Sequence, residues 1–191
     1  MKTNARKYIS LLLALCMVMS LLPAAALAAS DGNCTGDHSE WKALMNTSGT
    51  LNEGRYYLNS DVTASGEIRI NSDVTLCLNG HTLNLSGKSL CIDSGSFTLC
   101  DCKGSGKITG GNDKPGVIVY GGTFIMNGGT IIGNAGGVIV GGNNGSASFI
   151  MNGGSITGNI VNTNNATTNT YGGGVYVAKG SSFTMTGGSL T

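Results

Sequence analysis

Charge is scarce in this chain. Asp, Glu, Lys and Arg supply 11% of the residues and leave a formal charge of +1, against the roughly one quarter charged residues of an ordinary soluble domain. That balance excludes a highly charged disordered tail, and it excludes a basic nucleic-acid binder, which needs a Lys and Arg excess. Proline occurs twice, tryptophan once, and aromatic residues make up 6%. No convincing apolar pattern of helical period follows residue 22, so a helical bundle is excluded as well. What is abundant is glycine, with 32 residues, set in short motifs among Val, Ile, Thr, Phe and Met. Those glycines punctuate many short strands and follow neither a collagen triplet nor a linker pattern.

The first 29 residues read as a secretory signal peptide. Lys2, Arg6 and Lys7 precede the apolar run ISLLLALCMVMSLL at 9–22, and Ala26-Leu27-Ala28 offers a small-x-small processing site. The run falls short of the ~20 residues a membrane span needs, so Cys16 leaves with the signal and no span is expected in the mature part. Loss of these residues takes the formal charge from +1 to −2, which gives no electrostatic claim on DNA or anionic membranes. The expected location is secreted or at the cell surface. Cys34, Cys77, Cys91, Cys100 and Cys102 remain, an odd number that requires at least one free or intermolecular thiol.

Internal repetition is the strongest signal. GGTFIMNGGTIIGN at 121–134 returns as SASFIMNGGSITGN at 146–159, with further copies starting at Val74, Ser96 and Ser181. With Val74, Phe97, Phe124, Phe149 and Phe183 as the origin, the position two further on holds Leu76, Leu99, Met126, Met151 and Met185. Side chains two apart share a face of a strand, so these columns face inward and the residue between them faces outward. The origins lie 23, 27, 25 and 34 residues apart, too close for strand-helix-strand units. A second strand, GVIVY, GVIVG or GVYVA, precedes each of the last three copies, and a third carries Ile131, Ile156 and Leu190. Three short parallel strands per coil, with glycine at the corners, define an all-β parallel β-helix.

The pairing of GGGVYV with FTMTGG, and of VTLCLNGHTLNL with FTLCDCKGSGKITGG, resembles the right-handed parallel β-helix repeat proteins exported by anaerobic gut-type bacteria, within the pectate-lyase-like superfamily. The resemblance covers roughly residues 54–191. It implies a right-handed, single-stranded β-helix in a multi-module, adhesin-like surface protein, while the enzymes of the wider superfamily are polysaccharide lyases and hydrolases. Such a repeat is specific for fold and poor for function.

Chemistry-bearing residues are few. The position three beyond the origin holds Cys77, Cys100, Asn127, Asn152 and Thr186; stacked asparagines there, and Asn134 with Asn159 at the end of the third strand, are expected to form structural ladders along the axis. Cys77 and Cys100 on neighbouring coils are the candidate disulfide, with Cys102 as the competing partner. Cys34 and Cys91 are expected to be a remote pair or free. A metal set of Cys77, His81, Cys100 and Cys102 is the alternative; an exported chain favours oxidised pairs and no CxxC supports it, so no metal or cofactor is expected. Asp73, Asp93 and Asp101 with Arg69 form the sole acidic and basic cluster, and His81 follows an Asn-Gly corner. From Lys103 to Thr191 the charged residues are Lys103, Lys107, Asp113, Lys114 and Lys179, too few for a pair of catalytic carboxylates. No catalytic residue is therefore assigned.

Ile118, Ile139 and Tyr176 stand between the inward valines and form a candidate partner-binding stripe. NIVNTNNATTNTY at 159–171 is read as an inserted loop that covers this stripe or projects from it. The divisions expected are a signal at 1–29, an N-terminal cap at 30–53 closed by Trp41, and repeats at 54–191. The last copy stops inside a repeat, so further modules are expected beyond Thr191. The functional expectation is a non-enzymatic adhesion or stalk module facing host, plant or mucin glycans or surface proteins. The alternative is a polysaccharide-binding or polysaccharide-cleaving β-helix with Tyr120 and Tyr176 as stacking rings.

Overall fold

The computed structural model describes residues 34–45, 48–142, 146–160 and 172–191. The expected signal peptide at 1–29 and positions 161–171 of the expected inserted loop lie outside the described residues. Every regular element among the described residues is a short strand, and no described helix is long and apolar enough to cross a membrane.

The strands fall into three sheets. The first joins β1 (Lys42–Ala43), β3 (Gly54–Tyr57), β6 (Val74–Cys77), β9 (Ser96–Cys100), β12 (Gly122–Met126), β15 (Ala147–Met151) and β18 (Ser182–Met185) in that spatial order. The second joins β2 (Gly49–Leu51), β5 (Ile68–Ile70), β8 (Leu90–Ile92), β11 (Val117–Val119), β14 (Val138–Val140) and β17 (Val175–Val177). The third joins β4 (Val62–Thr63), β7 (Thr82–Asn84), β10 (Lys107–Thr109), β13 (Thr130–Ile132), β16 (Ser155–Thr157) and β19 (Ser189–Leu190). Every pairing is parallel, and each complete coil gives one strand to each sheet, which is a parallel β-helix.

The repeat register is the ladder register. Val74 pairs with Phe97, Phe97 with Phe124, Phe124 with Phe149 and Phe149 with Phe183. Because the side-chain period is two, this alignment sends each origin residue and its second neighbour into the core together. Phe97, Phe124 and Phe149 are fully buried, and their rings stack at centroid spacings of 5.6 and 4.8 Å, with Phe183 continuing the stack at 4.9 Å. The valines of the second sheet and Ile108, Ile131 and Ile156 of the third close the same core. In the last coil the inward positions Val177, Met185 and Leu190 remain 39–42% exposed.

The ladders begin ahead of residue 54. β1 and β2 extend the first and second sheets, and Leu44 and Leu51 join the core. Trp41 does not close that core; it is half-buried against the edge of His38, with the Arg55 guanidinium 5.8 Å above its ring.

Candidate functional site

The corner after the first-sheet strands gathers most of the polar and reactive side chains. Along its later coils Asn152 donates through Nδ2 to Asn127 Oδ1 at 2.9 Å, and the Thr186 hydroxyl donates to Asn152 Oδ1 at 2.8 Å. A second ladder, Asn134 with Asn159, closes the third sheet at 3.0 Å, and Asn134 is one of two buried polar residues among the described ones. Hydroxyl pairs run the same way, Ser148 with Ser182, Ser155 with Ser189 and Thr157 with Thr191. These contacts are repeats meeting their own neighbours.

In the earlier coils the same corner holds thiols. Tyr57, Cys77 and Cys100 are successive register partners. Cys77 and Cys100 are thus stacked as expected, but both are free thiols, as are Cys34, Cys91 and Cys102. Cys34 is not remote: its sulfur lies 3.1 Å from Cys77 Sγ, and Cys102 Sγ lies 3.6 Å from Cys77 on the other flank. Ligand atoms of Cys34, Cys77 and Cys100 fall within 4.8 Å of one another, and so do those of His38, Cys77 and Cys102. The imidazole of His38 stacks on Tyr57 at 4.7 Å and 5° and meets Trp41 edge-on at 5.0 Å. His38 Nε2 is buried with no hydrogen-bond partner.

Hydrogen bonds from Cys100 and Cys34 stabilise the Cys77 thiolate and drive its pKa far down. For Cys34 the contact with Cys100 lowers the pKa, but the contact with Cys77 and burial outweigh it and push the thiol up to about 12. Contacts with Cys34 and Cys77 push Cys100 up, and burial pushes Cys102 up.

His81 stands apart from this cluster. Its Nδ1 lies 3.5 Å from Asp61 Oδ1, at the corner where Asn79 and Gly80 take φ of 50° and +79°. Of the alternative set Cys77, His81, Cys100 and Cys102, His81 is not grouped with the thiols, whereas His38 is. Cys34-x3-His38 repeats the Cys77-x3-His81 spacing, and that was the signal available for Cys34 and His38.

The acidic cluster is dispersed. Asp73 Oδ1 accepts the Ser96 N–H at 2.9 Å, and the Asp101 carboxylate accepts the N–H groups of Gly80 and Gly106 at 2.7 and 2.6 Å. Both hold turns. Asp93 instead receives a two-pronged bond from Arg69 at 2.6 and 2.9 Å, and Arg69 also reaches Glu67 at 3.1 Å. The Cys91 thiol donates to Glu67 at 3.0 Å; this bond first, and Arg69 second, hold the Glu67 carboxyl below its ordinary value. Asp93 first, then Glu67, raises Arg69, and burial first, then Glu67, pushes the Cys91 thiol up. A shallow groove on the outer face of the first sheet is lined by Glu53, Arg55, Asp73, Thr75, Ser96 and Thr98.

Ile118, Ile139 and Tyr176 are register partners, so the stripe exists as a column. Its exposure is uneven: Ile139 is 5% exposed, Ile118 is half-buried and Tyr176 is 38% exposed. No family model, curated protein or solved structure matches the chain.

Proposed function

We propose that the chain is a non-enzymatic, secreted or cell-surface β-helix serving as a stalk or adhesion module, of the right-handed, pectate-lyase-like and adhesin-like type its repeats resemble. The observation that carries this reading is the use of the outward polar side chains. Asn127, Asn152 and Thr186 bond along the axis, and Asp73 and Asp101 accept backbone N–H groups. Arg69 neutralises Asp93. A lyase or hydrolase needs carboxylates available to a metal, a proton or a sugar carbon, and these are engaged in holding turns and coils.

A second reading, polysaccharide binding or cleavage, draws on the groove at Glu53, Arg55 and Asp73 and on the exposed rings of Tyr120 and Tyr176. Carboxylates in a groove suit sugar hydroxyls and exposed aromatic faces suit sugar rings, although the two tyrosines lie on the second-sheet side and not in the groove. The test is a panel of plant and mucin polysaccharides and host-surface proteins presented to the full chain, scored for retention and for new chain ends. Retention without new ends is expected of an adhesion module, and neither signal of a stalk. New chain ends would overturn the non-enzymatic reading.

A further inference from the structure

We propose that the cluster of Cys34, His38, Cys77, Cys100 and Cys102 is a binding site for a single zinc ion, with Cys77 as its central ligand and His38 as its nitrogen ligand. Two segments far apart in sequence build it. Cys77 ends β6 and Cys100 ends β9 directly beside it, while Asp101 pins the following corner through Gly80 and Gly106 and thereby fixes Cys102. Cys34 and His38 arrive from the segment ahead of β1, which the β1 to β3 pairing holds in place. His38 lies on Tyr57, the register partner of Cys77, so its ring is presented to the same corner of the coil below.

The place of Cys77 between two groups of donors suits a metal better than a pair of disulfides. A tetrahedron with zinc-sulfur bonds of about 2.3 Å has sulfur-sulfur edges of ~3.8 Å; Cys102 and Cys77 stand close to that edge at 3.6 Å, and Cys34 and Cys77, at 3.1 Å, open toward it on binding. Cys77 belongs to both ligand triads, whereas in a disulfide it could join one sulfur alone. The buried Nε2 of His38 has no hydrogen-bond partner among the protein groups; a metal at the corner would give it one.

The chemistry points to a soft divalent cation. Sulfur and imidazole donors select zinc over calcium or magnesium. Ligation requires these thiols as thiolates, so metal binding at the cluster is coupled to proton release. Binding breaks S–H bonds heterolytically, passes the protons to solvent and forms zinc-sulfur bonds, with no change of oxidation state. Zinc takes four ligands, so three of the four sulfurs, as thiolates with Cys77 among them, and the neutral imidazole bind it with a net charge of −1, and the fourth sulfur stays a thiol beside the site. The ion would fasten the segment carrying Cys34 and His38 onto the coils carrying Cys77, Cys100 and Cys102, beside a β1 only two residues long.

The test uses the full chain, purified under reducing conditions and again after export through its own leader. Expected are near-stoichiometric zinc and, after cobalt substitution, the intense visible bands of a tetrahedral thiolate site. Cys91→Ser, on another sheet, is expected to leave these bands unchanged, and Cys102→Ser to abolish or strongly weaken them. His38→Gln is expected to shift them; an unchanged spectrum would remove His38 from the site. Because Cys77→Ser removes a buried side chain and can unfold the corner, the cobalt spectrum of the unaltered chain is the deciding readout. Octahedral cobalt bands, or exported protein whose Cys34, Cys77, Cys100 and Cys102 are in disulfides without zinc, would overturn the proposal.

Discussion

Asn134 donates through Nδ2 to Oδ1 of Asn159 at 3.0 Å, and the same oxygen receives the Asn134 backbone N–H at 3.1 Å. Asn134 Oδ1 in turn accepts the Gly111 N–H at 2.8 Å, so two side chains link three coils. Removing a buried partner costs its desolvation as well as the bond, ~1–3 kcal/mol. Asn134→Ala is expected to lose that much in urea unfolding. Asn152→Ala, on the exposed ladder, is expected to lose about 0.5 kcal/mol, because water replaces the lost contacts. Equal losses at the two sites would contradict the assignment.

The phenylalanine stack makes a graded prediction. Phe149 is fully buried between Phe124 and Phe183, whereas Phe183 sits half-buried in the last described coil. Phe149→Ala should cost about 3–5 kcal/mol through lost burial and a cavity. Phe183→Ala should cost clearly less. Denaturant midpoints of the two variants, compared at unchanged slope, check the order.

Two glycines with the same sign of φ separate backbone strain from crowding. Gly104, at φ +77°, has open space where a Cβ would stand, so Gly104→Ala pays only the left-handed conformation, ~1–2 kcal/mol. Gly122, at φ +71°, would drive its Cβ into the carbonyl oxygen of Gly95 on the coil below. Gly122→Ala is expected to cost more than Gly104→Ala and to disturb the β9 to β12 ladder, visible as faster amide exchange at Thr123 and Phe124.

Glu67 gives the pH dependence. Its carboxyl is held down by the Cys91 thiol and Arg69. A group whose folded pKa is depressed stabilises the fold above its unfolded value and loses that contribution as pH falls through the folded one. Stability should therefore decline below about pH 4.5, the ordinary value for this carboxyl, and Glu67→Gln should flatten that part of the profile. Side-chain exposures of 40% for Arg69 and 45% for Glu67 make the effect small and salt-sensitive. Unfolding curves from pH 3 to 6, an interval of roughly 1.5 units on either side, are the measurement.

The coils were legible because they obey a strict period of two with one invariant kind of inward residue. Fixing Phe124 on Phe149 was enough to align Met126 with Met151 and Asn127 with Asn152, and the ladders follow that alignment. The thiol cluster was only half legible. Cys77 and Cys100 lie inside the repeat, so their stacking is a consequence of register. Cys34 is 43 residues from Cys77 and belongs to no copy, and a strand as short as Lys42–Ala43 leaves no pattern from which to read its register. Uneven exposure of the Ile118, Ile139 and Tyr176 column was also hidden, since alternation gives the direction of a side chain but not what lies over it.

The proposal tested most directly is that Asp73, Asp93 and Asp101, which hold turns and Arg69, serve the scaffold and no reaction. The most direct measurement is to incubate the full chain with pectic and mucin polysaccharides, with calcium present, and quantify new reducing and unsaturated ends. The account predicts no release above buffer, for the unaltered chain and for Asp73→Asn and Asp93→Asn alike. Release that disappears in either variant while the fold persists would contradict it.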